Sequence, residues 1–266
     1  MSLLVGADPE LFVRDRKTNA FISGYGLIPG TKKAPHAVDL GAIQLDGMAA
    51  EFNINPAANE QSFLINIDAV MSQLRGLIPK KYKLDISAVA EFDEKYMADQ
   101  PEECKMLGCD PDFNAYTGYP NPSPNQHPTM RTAAGHVHLG WTNGQDVHDP
   151  AHFSSCITMI KELDFYLGLP SVILDKDTKR KEMYGMAGAF RPKPYGCEYR
   201  VLSNFWLQSE SLMRLIYRNT NAAFDALVSG KRLFEEHGES AKEIINSNDK
   251  KAAKSLCIEL GIGWTL

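Results

Sequence analysis

The stretch YGMAGAFRPKPYGCEYRVLSNFW, residues 184–206, carries the pattern that decides the fold. Its second half alternates polar and apolar side chains, which indicates a β-strand entering a core. Residues two apart on a strand face the same side, so Glu198 and Arg200 share one face. Tyr199 and Val201 share the other. A carboxylate and a guanidinium on a mostly buried strand are costly unless ligands occupy them, such as a metal ion at Glu198 and a phosphate at Arg200.

The composition is that of an ordinary globular protein. The chain has 266 residues, 44% hydrophobic and 23% charged, and no linker interrupts it, so we predict one domain over residues 1–266. The net charge of −5 offers no electrostatic footprint for nucleic acid. Five cysteines without CxxC spacing indicate a reducing compartment, and we predict a cytoplasmic location. Early charged residues argue against a signal peptide, and no apolar run approaches about 20 residues, so no membrane span is expected.

The order of elements along the chain is strands, helix, strand, helix, strand, helices. Strands are predicted over residues 2–14 (with a kink at Asp8-Pro9), 42–45, 49–54, 83–92 and 135–141. Helices are predicted from Asn59 to about Leu77, from Asp149 with a last core-facing position at Leu167, and from about Leu207 to Val228. Residues 171–174 are predicted as a short buried piece, and the proline-rich residues 93–135 as a long loop. This order favours one α+β domain on an antiparallel sheet, helical from about residue 207.

Acidic side chains recur at strand spacing in two places near the N-terminus. Asp8 and Glu10 point the same way on the first strand, between apolar neighbours. Glu51 and Asn53 share a face on a later strand. When each pair is considered alone, an ordinary solvent-exposed strand face explains it at least as well as a functional role does.

A His-x-His pair lies on the strand that begins at Gly135. His136 and His138 point to one face, at a spacing that is familiar among metal ligands. A histidine held by hydrogen bonds in the core or at its rim is the commoner explanation for one isolated pair.

Basic side chains form a fifth candidate group. It comprises Arg180, Lys181, Arg191 and Lys193. Charge runs are usually solvated faces, but Arg191 and Lys193 lie between Ala-Phe and Pro-Tyr-Gly. Carboxylates from several strands suit Mg²⁺ or Mn²⁺, and basic groups in the same cleft suit phosphate, so the set as a whole suggests ATP chemistry.

Five motifs occur in an order that resembles a known family. They are GADPELF, IQLDG followed by EFNINPA, GCDPDFNAY, GHVHLG and YGxAGxFRPKPYGxEYR. Together they are similar to the phage-type carboxylate–amine ligases called COOH·NH2 ligase type 2, within the glutamine synthetase and glutamate–cysteine ligase superfamily. The resemblance runs from Gly6 to about Trp206. It implies a curved antiparallel sheet flanked by helices, beneath ATP and two or three divalent ions. It also implies an acyl phosphate that an amine converts into an amide.

The resemblance implies a role for each matching residue. The metal ligands would be Asp8, Glu10, Glu51, His136, His138 and Glu198. Arg200 would bind phosphate, while Arg191 and Lys193 would hold phosphate or stabilise the transferring group. Arg180, from the basic group, is a further candidate for the nucleotide. The superfamily often has Glu-x-Glu on the first strand, where this chain has Asp8.

The chemistry needs one more group, because an amine must lose a proton as it attacks. Asp46 and Asp110 are the candidate bases. The motif GCDPDFNAY, residues 108–116, resembles an element of this family alone and could bind or gate substrate. Both substrates, a carboxylate and an amine, could be small molecules or peptides.

Two other functions remain open. A metal-dependent hydrolase would use His136, His138 and the carboxylates to activate water, and would work without ATP. A non-catalytic phage protein that kept the fold would bind no metal. The oligomeric state is equally open, with a homo-oligomer possible. A phage origin, which only the resemblance implies, would place the protein in the cytoplasm of an infected bacterium.

Overall fold

The fold is known from a computed structural model that describes residues 3–105, 112–122 and 127–265. The strands in these ranges are β1 (Leu4–Asp15), β2 (Phe21–Ile22), β3 (His36–Val38), β4 (Gly41–Asp46), β5 (Ala49–Ile54), β6 (Tyr82–Asp85), β7 (Val89–Glu91), β8 (Phe113–Asn114), β9 (Met130–Thr132), β10 (Gly135–Gly140), β11 (Ala189–Lys193) and β12 (Gly196–Tyr199). The helices are α1 (Glu60–Leu77), α2 (Glu94–Ala98), α3 (Glu102–Lys105), α4 (Pro150–Leu163), α5 (Leu169–Leu174), α6 (Glu210–Val228), α7 (Leu233–Ser247) and α8 (Lys250–Leu260).

A large antiparallel sheet forms the centre of the described structure. Its strands follow the order β3-β4-β5-β1-β10-β12-β11-β8, and β2 and β6 pair with the far end of β1. Helices pack on one face of this sheet, with α1 against β4 and β5 and α4 against β11 and β12. The α+β class and the antiparallel sheet flanked by helices are therefore confirmed.

The strands separate apolar from polar side chains by simple alternation. On β1, Val5, Leu11 and Val13 are fully buried in the main core beneath the helices. Asp8 and Glu10 point to the opposite face because they occupy the intervening positions. β1 runs without a break through the predicted kink at Asp8-Pro9.

Part of the opposite face is covered by a second, smaller core. Phe12 shares the face of Asp8 and packs edge-on against Phe21 and Phe92. This core is built around β7 and β9, which pair as a separate two-stranded sheet. Residues 83–92, predicted as one strand, are instead β6 in the large sheet and β7 in the small one. The prediction of a long loop over 93–135 was also too simple, since α2, α3, β8 and β9 lie within it.

Helix starts agree with their capping signals. Asn59 caps α1 by accepting a hydrogen bond from the Ser62 backbone N–H, and Asp149 caps α4 in the same way. The prediction separated the helix that begins at Asp149 from a short buried piece at residues 171–174. In the structure the two are continuous, because α4 runs through a π-helical segment at residues 164–168 into α5. The wider turn precedes Pro170, whose ring would clash with the preceding turn of a regular α-helix.

The helices do not include a membrane span. Across the described ranges, none is both long enough and apolar enough to cross a bilayer.

Candidate functional site

Strand pairing brings most of the predicted site residues onto one face of the large sheet. Gly6 pairs with His138 across β1 and β10, and His138 pairs with Glu198 across β10 and β12. Arg191 pairs with Glu198 across β11 and β12. Since every step joins neighbouring antiparallel strands, residues far apart in sequence become lateral neighbours.

Three of these side chains form a group that could hold a metal ion. Asp8, His138 and Glu198 each offer one ligand atom, and these atoms lie within 4.8 Å of one another. Asp8 Oδ1, His138 Nε2 and Glu198 Oε2 are buried atoms that form no hydrogen bond. Asp8 Oδ1 lies 3.0 Å from His138 Nε2, and Glu198 Oε2 lies 2.8 Å from Lys193 Nζ. Buried polar atoms without hydrogen bonds are costly, so a divalent cation with oxygen and imidazole ligands fits this group.

Tyr195 orients one member of this candidate metal group. Its hydroxyl lies 2.6 Å from His138 Nδ1, which turns the other ring nitrogen toward Asp8. Such a contact is typical of metal-binding histidines, whose second nitrogen is held by a neighbouring polar group. This role was not predicted from the sequence, although Tyr195 lies within the Tyr184–Arg200 motif.

His136 lies between the candidate metal group and Arg200. Its Nδ1 is 3.3 Å from both Asp8 Oδ1 and Glu198 Oε1, and 3.4 Å from Arg200 Nη1. Burial, followed by the charge of Arg200, lowers the pKa of His136 to about 4. The imidazole is therefore neutral at pH 7 and keeps a lone pair for a cation or a donor.

Glu198 is fully buried and surrounded by positive charge. Arg200 Nη1 contacts Glu198 Oε1, while Lys193 Nζ and Arg191 Nη1 lie 2.8 and 3.7 Å from Oε2. Burial and Asp8 favour the protonated form, yet Arg200 and the two histidines hold the pKa of Glu198 below its usual range. β12 ends at Tyr199, but Arg200 still faces the same way as Glu198, as predicted.

A group of carboxylates lies on the β1, β5 and β4 side of the site. Glu10 pairs with Glu51 across β1 and β5, and Glu51 accepts a hydrogen bond of 2.7 Å from Gln44. Burial and then the charge of Asp46 raise the pKa of Glu10 to about 7. Burial, and then Asp8, raise the pKa of Glu51 well above its usual value. Asp46 forms an ion pair of 2.8 Å with Lys32, a residue that the sequence analysis did not select.

A cavity borders both the acidic and the basic residues. Its cavity volume is about 50 Å³. Its polar lining includes Glu10, Asp46, Asp112, His136, Arg180 and Arg200. Phe12 and Met48 give it an apolar wall. A cleft with an apolar wall and convergent charged groups is the usual form of a small-molecule site.

The predicted basic group does not stay together. Arg180 lines the cavity, and its guanidinium donates to the backbone carbonyls of Arg200 and Val201. Lys181 instead donates to the Ile245 carbonyl at 2.8 Å, within α7 and away from the sheet. Arg180 thus stabilises the backbone at Arg200 and Val201, whereas Lys181 stabilises the backbone of α7 and takes no part in the site.

The motif at residues 108–116 is described only from Asp112 onward. Asp112 Oδ2 lies 3.4 Å from Arg200 Nε, which brings this segment to the edge of the site. Asp110, the second candidate base, lies outside the described residues, as does Cys109.

Comparison with known proteins supports the class that the motifs predicted. Residues 126–241 match the family model described as "Phage phiEco32-like COOH.NH2 ligase-type 2". This segment, which is less than half of the chain, is therefore similar to the carboxylate–amine ligases of that family. The match confirms the family resemblance and includes His136, His138, Arg191, Lys193, Glu198 and Arg200.

Solved structures show only distant likeness. A bifunctional glutathione synthetase from Pasteurella multocida is 10% identical with a TM-score of 0.44, covering 98% of this chain and 47% of its own. The chain thus spans about half the length of that protein. A structure described as a novel glutamine synthase homolog is 12% identical with a TM-score of 0.32, covering 99% of this chain and 68% of its own. No curated protein matches the sequence.

Proposed function

We propose that this protein is an ATP- and Mg²⁺-dependent carboxylate–amine ligase that activates a carboxylate as an acyl phosphate and joins it to an amine. One observation carries the proposal. Three buried ligand atoms, on Asp8, His138 and Glu198, converge beside Arg200 and Lys193. A candidate site for a metal ion next to basic side chains suits a polyphosphate, because transfer of a phosphoryl group needs both the metal ion and the basic side chains.

The basic residues act on the phosphate. In the first step a carboxylate oxygen attacks the γ-phosphorus, the bond to the β-phosphate oxygen breaks, and ADP leaves. Both reactants are anionic, so the transition state needs positive charge that is already in place. Arg191 and Lys193 hold the transferring group, and Arg200 stabilises the charge that develops on it. Arg180 lies close enough to support Arg200 through its backbone carbonyl.

The carboxylates hold the metal ions. Mg²⁺ or Mn²⁺ bound by Asp8, His138 and Glu198 would neutralise part of the phosphate charge and orient it. Glu10 and Glu51, with His136, would supply ligands for a second ion, and the superfamily resemblance suggests two or three ions in all. Like-charged carboxylates packed side by side support this assignment, because a cation relieves their repulsion.

Asp46 acts in the second step. The amine nitrogen attacks the acyl carbon, phosphate leaves, and the proton passes to a carboxylate. Asp46 supports this role because it lines the cavity, where its carboxylate also forms an ion pair of 2.8 Å with Lys32. The substrates are a carboxylate and an amine of small molecules or peptides. We place the reaction in the cytoplasm of an infected bacterium.

A metal-dependent hydrolase is the second candidate. The group of Asp8, His138 and Glu198 also suits Zn²⁺ or Mn²⁺, which could activate water. This function gives Arg191, Lys193 and Arg200 no task. It requires turnover without ATP, which separates it from the ligase.

Calorimetric titration with a non-hydrolysable ATP analogue, with and without Mg²⁺, tests the proposal. We expect micromolar binding that depends on Mg²⁺, after which acids and amines can be screened for phosphate release. A folded protein that takes up zinc but no nucleotide would point to the hydrolase. Binding of neither would leave a non-catalytic role.

A further inference from the structure

Asp164 is a fully buried carboxylate on the helix side of the sheet, opposite the candidate site. It is the first residue of the π-helical segment at residues 164–168. Such segments are frequent at functional sites, and a buried carboxylate is costly unless several donors bind it. None of the site chemistry described above uses Asp164.

Three hydrogen-bond donors meet at this carboxylate. Tyr199 Oη donates to Asp164 Oδ1 at 2.7 Å, and Tyr116 Oη donates to Oδ2 at 2.9 Å. The backbone N–H of Gly188 is a third donor near this carboxylate and lowers its pKa. The three donors come from three separate segments of the chain.

Each of these segments delivers a charged side chain to the site. Tyr199 lies between Glu198 and Arg200 in sequence and points to the other face of β12. Gly188 directly precedes β11, the strand with Arg191 and Lys193. Tyr116 follows β8, which begins one residue after Asp112, the partner of Arg200.

The packing around Asp164 leaves little room for movement. A Cβ atom on Gly168 would lie 2.8 Å from Tyr199 Oη, and one on Gly188 would lie 2.7 Å from the Tyr116 ring. Gly188 also has a φ of 75°, which disfavours other residues. The hydrogen-bonded positions of both tyrosines therefore depend on close contact with glycine.

We propose that Asp164 is a positioning residue of the ligase site, holding β12, the start of β11 and the 112–116 segment in register from the core side. The inference rests on the proposed function. It links Glu198, Arg200 and Asp112 through the core side of the sheet, although Asp112 lies on a separate segment. It also gives the GCDPDFNAY motif a role, since its last residue is Tyr116.

The test is the affinity of the full-length Asp164→Asn protein for Mn²⁺ alone, and for a non-hydrolysable ATP analogue with Mg²⁺, both by calorimetry. We expect each affinity to fall about tenfold, the usual effect of losing a group that orients ligands. Tyr199→Phe and Tyr116→Phe should each cause part of this loss. Combining Asp164→Asn with Tyr199→Phe should cost less than the sum of the two single losses, because both changes act on one hydrogen-bonded cluster.

Glu162→Gln is the matched control. Glu162 is also fully buried on α4, two residues earlier, but it accepts a hydrogen bond from the Leu233 backbone N–H at the start of α7. We expect this variant to lose stability while its Mn²⁺ and nucleotide affinities stay those of the wild type.

The outcomes separate the two proposals. Wild-type affinities in folded Asp164→Asn, or an equal loss in Glu162→Gln, would overturn the positioning role. If Asp164→Asn does not fold, unchanged affinities in both tyrosine variants would overturn it instead. If the wild-type protein binds Mn²⁺ but no nucleotide, the ligase proposal is refuted, and the Mn²⁺ affinity of Asp164→Asn alone decides the positioning role. If the wild-type protein binds neither, both proposals are refuted.

Discussion

Glu198 is the residue at which the opposite charges of the site meet. Its Oε1 atom contacts Arg200 and lies 3.3 Å from His136 Nδ1, while its buried Oε2 atom forms an ion pair of 2.8 Å with Lys193 Nζ. A carboxylate held ionised by its neighbours is ready to bind a cation at neutral pH.

Neutralising this carboxylate tests the metal site. We expect Glu198→Gln, and likewise Glu51→Gln, to weaken Mg²⁺-dependent binding of the ATP analogue by about 100-fold or more while the fold stays intact, because an amide is a poor ligand for Mg²⁺. Calorimetry gives the affinity and circular dichroism the fold. Unchanged nucleotide affinity in both variants would remove the proposed metal site.

Arg200 is expected to act on the transition state more than on binding. Arg200→Ala should lower kcat for ATP-dependent phosphate release by about 100-fold and change nucleotide affinity less, since its charge matters most when the phosphate is in transfer. The comparison of kcat with Kd decides this. Equal losses in both would assign Arg200 to ground-state binding, and no loss in either would show that its strand-face assignment is wrong.

At the scale of elements, the close pairing of β10 with β12 is what holds His138 beside Glu198. Gly196 begins β12 at a φ of 149°, and a Cβ atom there would lie 2.1 Å from the Leu139 carbonyl oxygen. The two strands can pair this tightly only because residue 196 has no side chain.

Gly196→Ala should therefore damage both stability and the site. We expect a loss of about 1–3 kcal/mol in the free energy of unfolding, measured with urea, and weaker Mn²⁺ binding as β12 moves away from β10. Gly230→Ala is the control, since Gly230 also has a positive φ, 85°, but nothing lies within 4 Å of its added Cβ atom. That variant should lose some stability and keep its Mn²⁺ affinity; a matching loss of affinity would contradict the explanation.

At the scale of the whole molecule, buried carboxylates make stability depend on pH. Burial raises the pKa of Asp164 to about 7, although both tyrosines donate to it. Because this pKa is higher in the folded than in the unfolded chain, its stabilising contribution is complete below about pH 4 and is lost as pH rises through about 7.

The wild-type free energy of unfolding should thus fall relative to that of Asp164→Asn between pH 5 and pH 8. The slope of this difference is at most about 1.4 kcal/mol per pH unit. Urea unfolding of both proteins at several pH values measures it, and taking the difference cancels the titration of the other carboxylates. A difference that stays flat, or rises with pH, would show that Asp164 is ionised throughout.

The amino-acid sequence by itself determined the local features of this protein. Capping at Asn59, the alternation on β1 and the acid and basic pairs of the last motif are properties of neighbouring residues, so they could be predicted without a partner. The family resemblance rested on the same local motifs, and the match over residues 126–241 confirmed it.

The tertiary structure alone decided which of these features meet. The strand order β5-β1-β10-β12-β11 places Asp8, His138 and Glu198 side by side, and alternation along a strand cannot specify which strand lies next to it. The same holds for Tyr195 and Asp164, whose partners lie 57 and 35 residues away in sequence. Such contacts depend on long-range packing of the whole chain, and for that reason they emerged only when the fold was known.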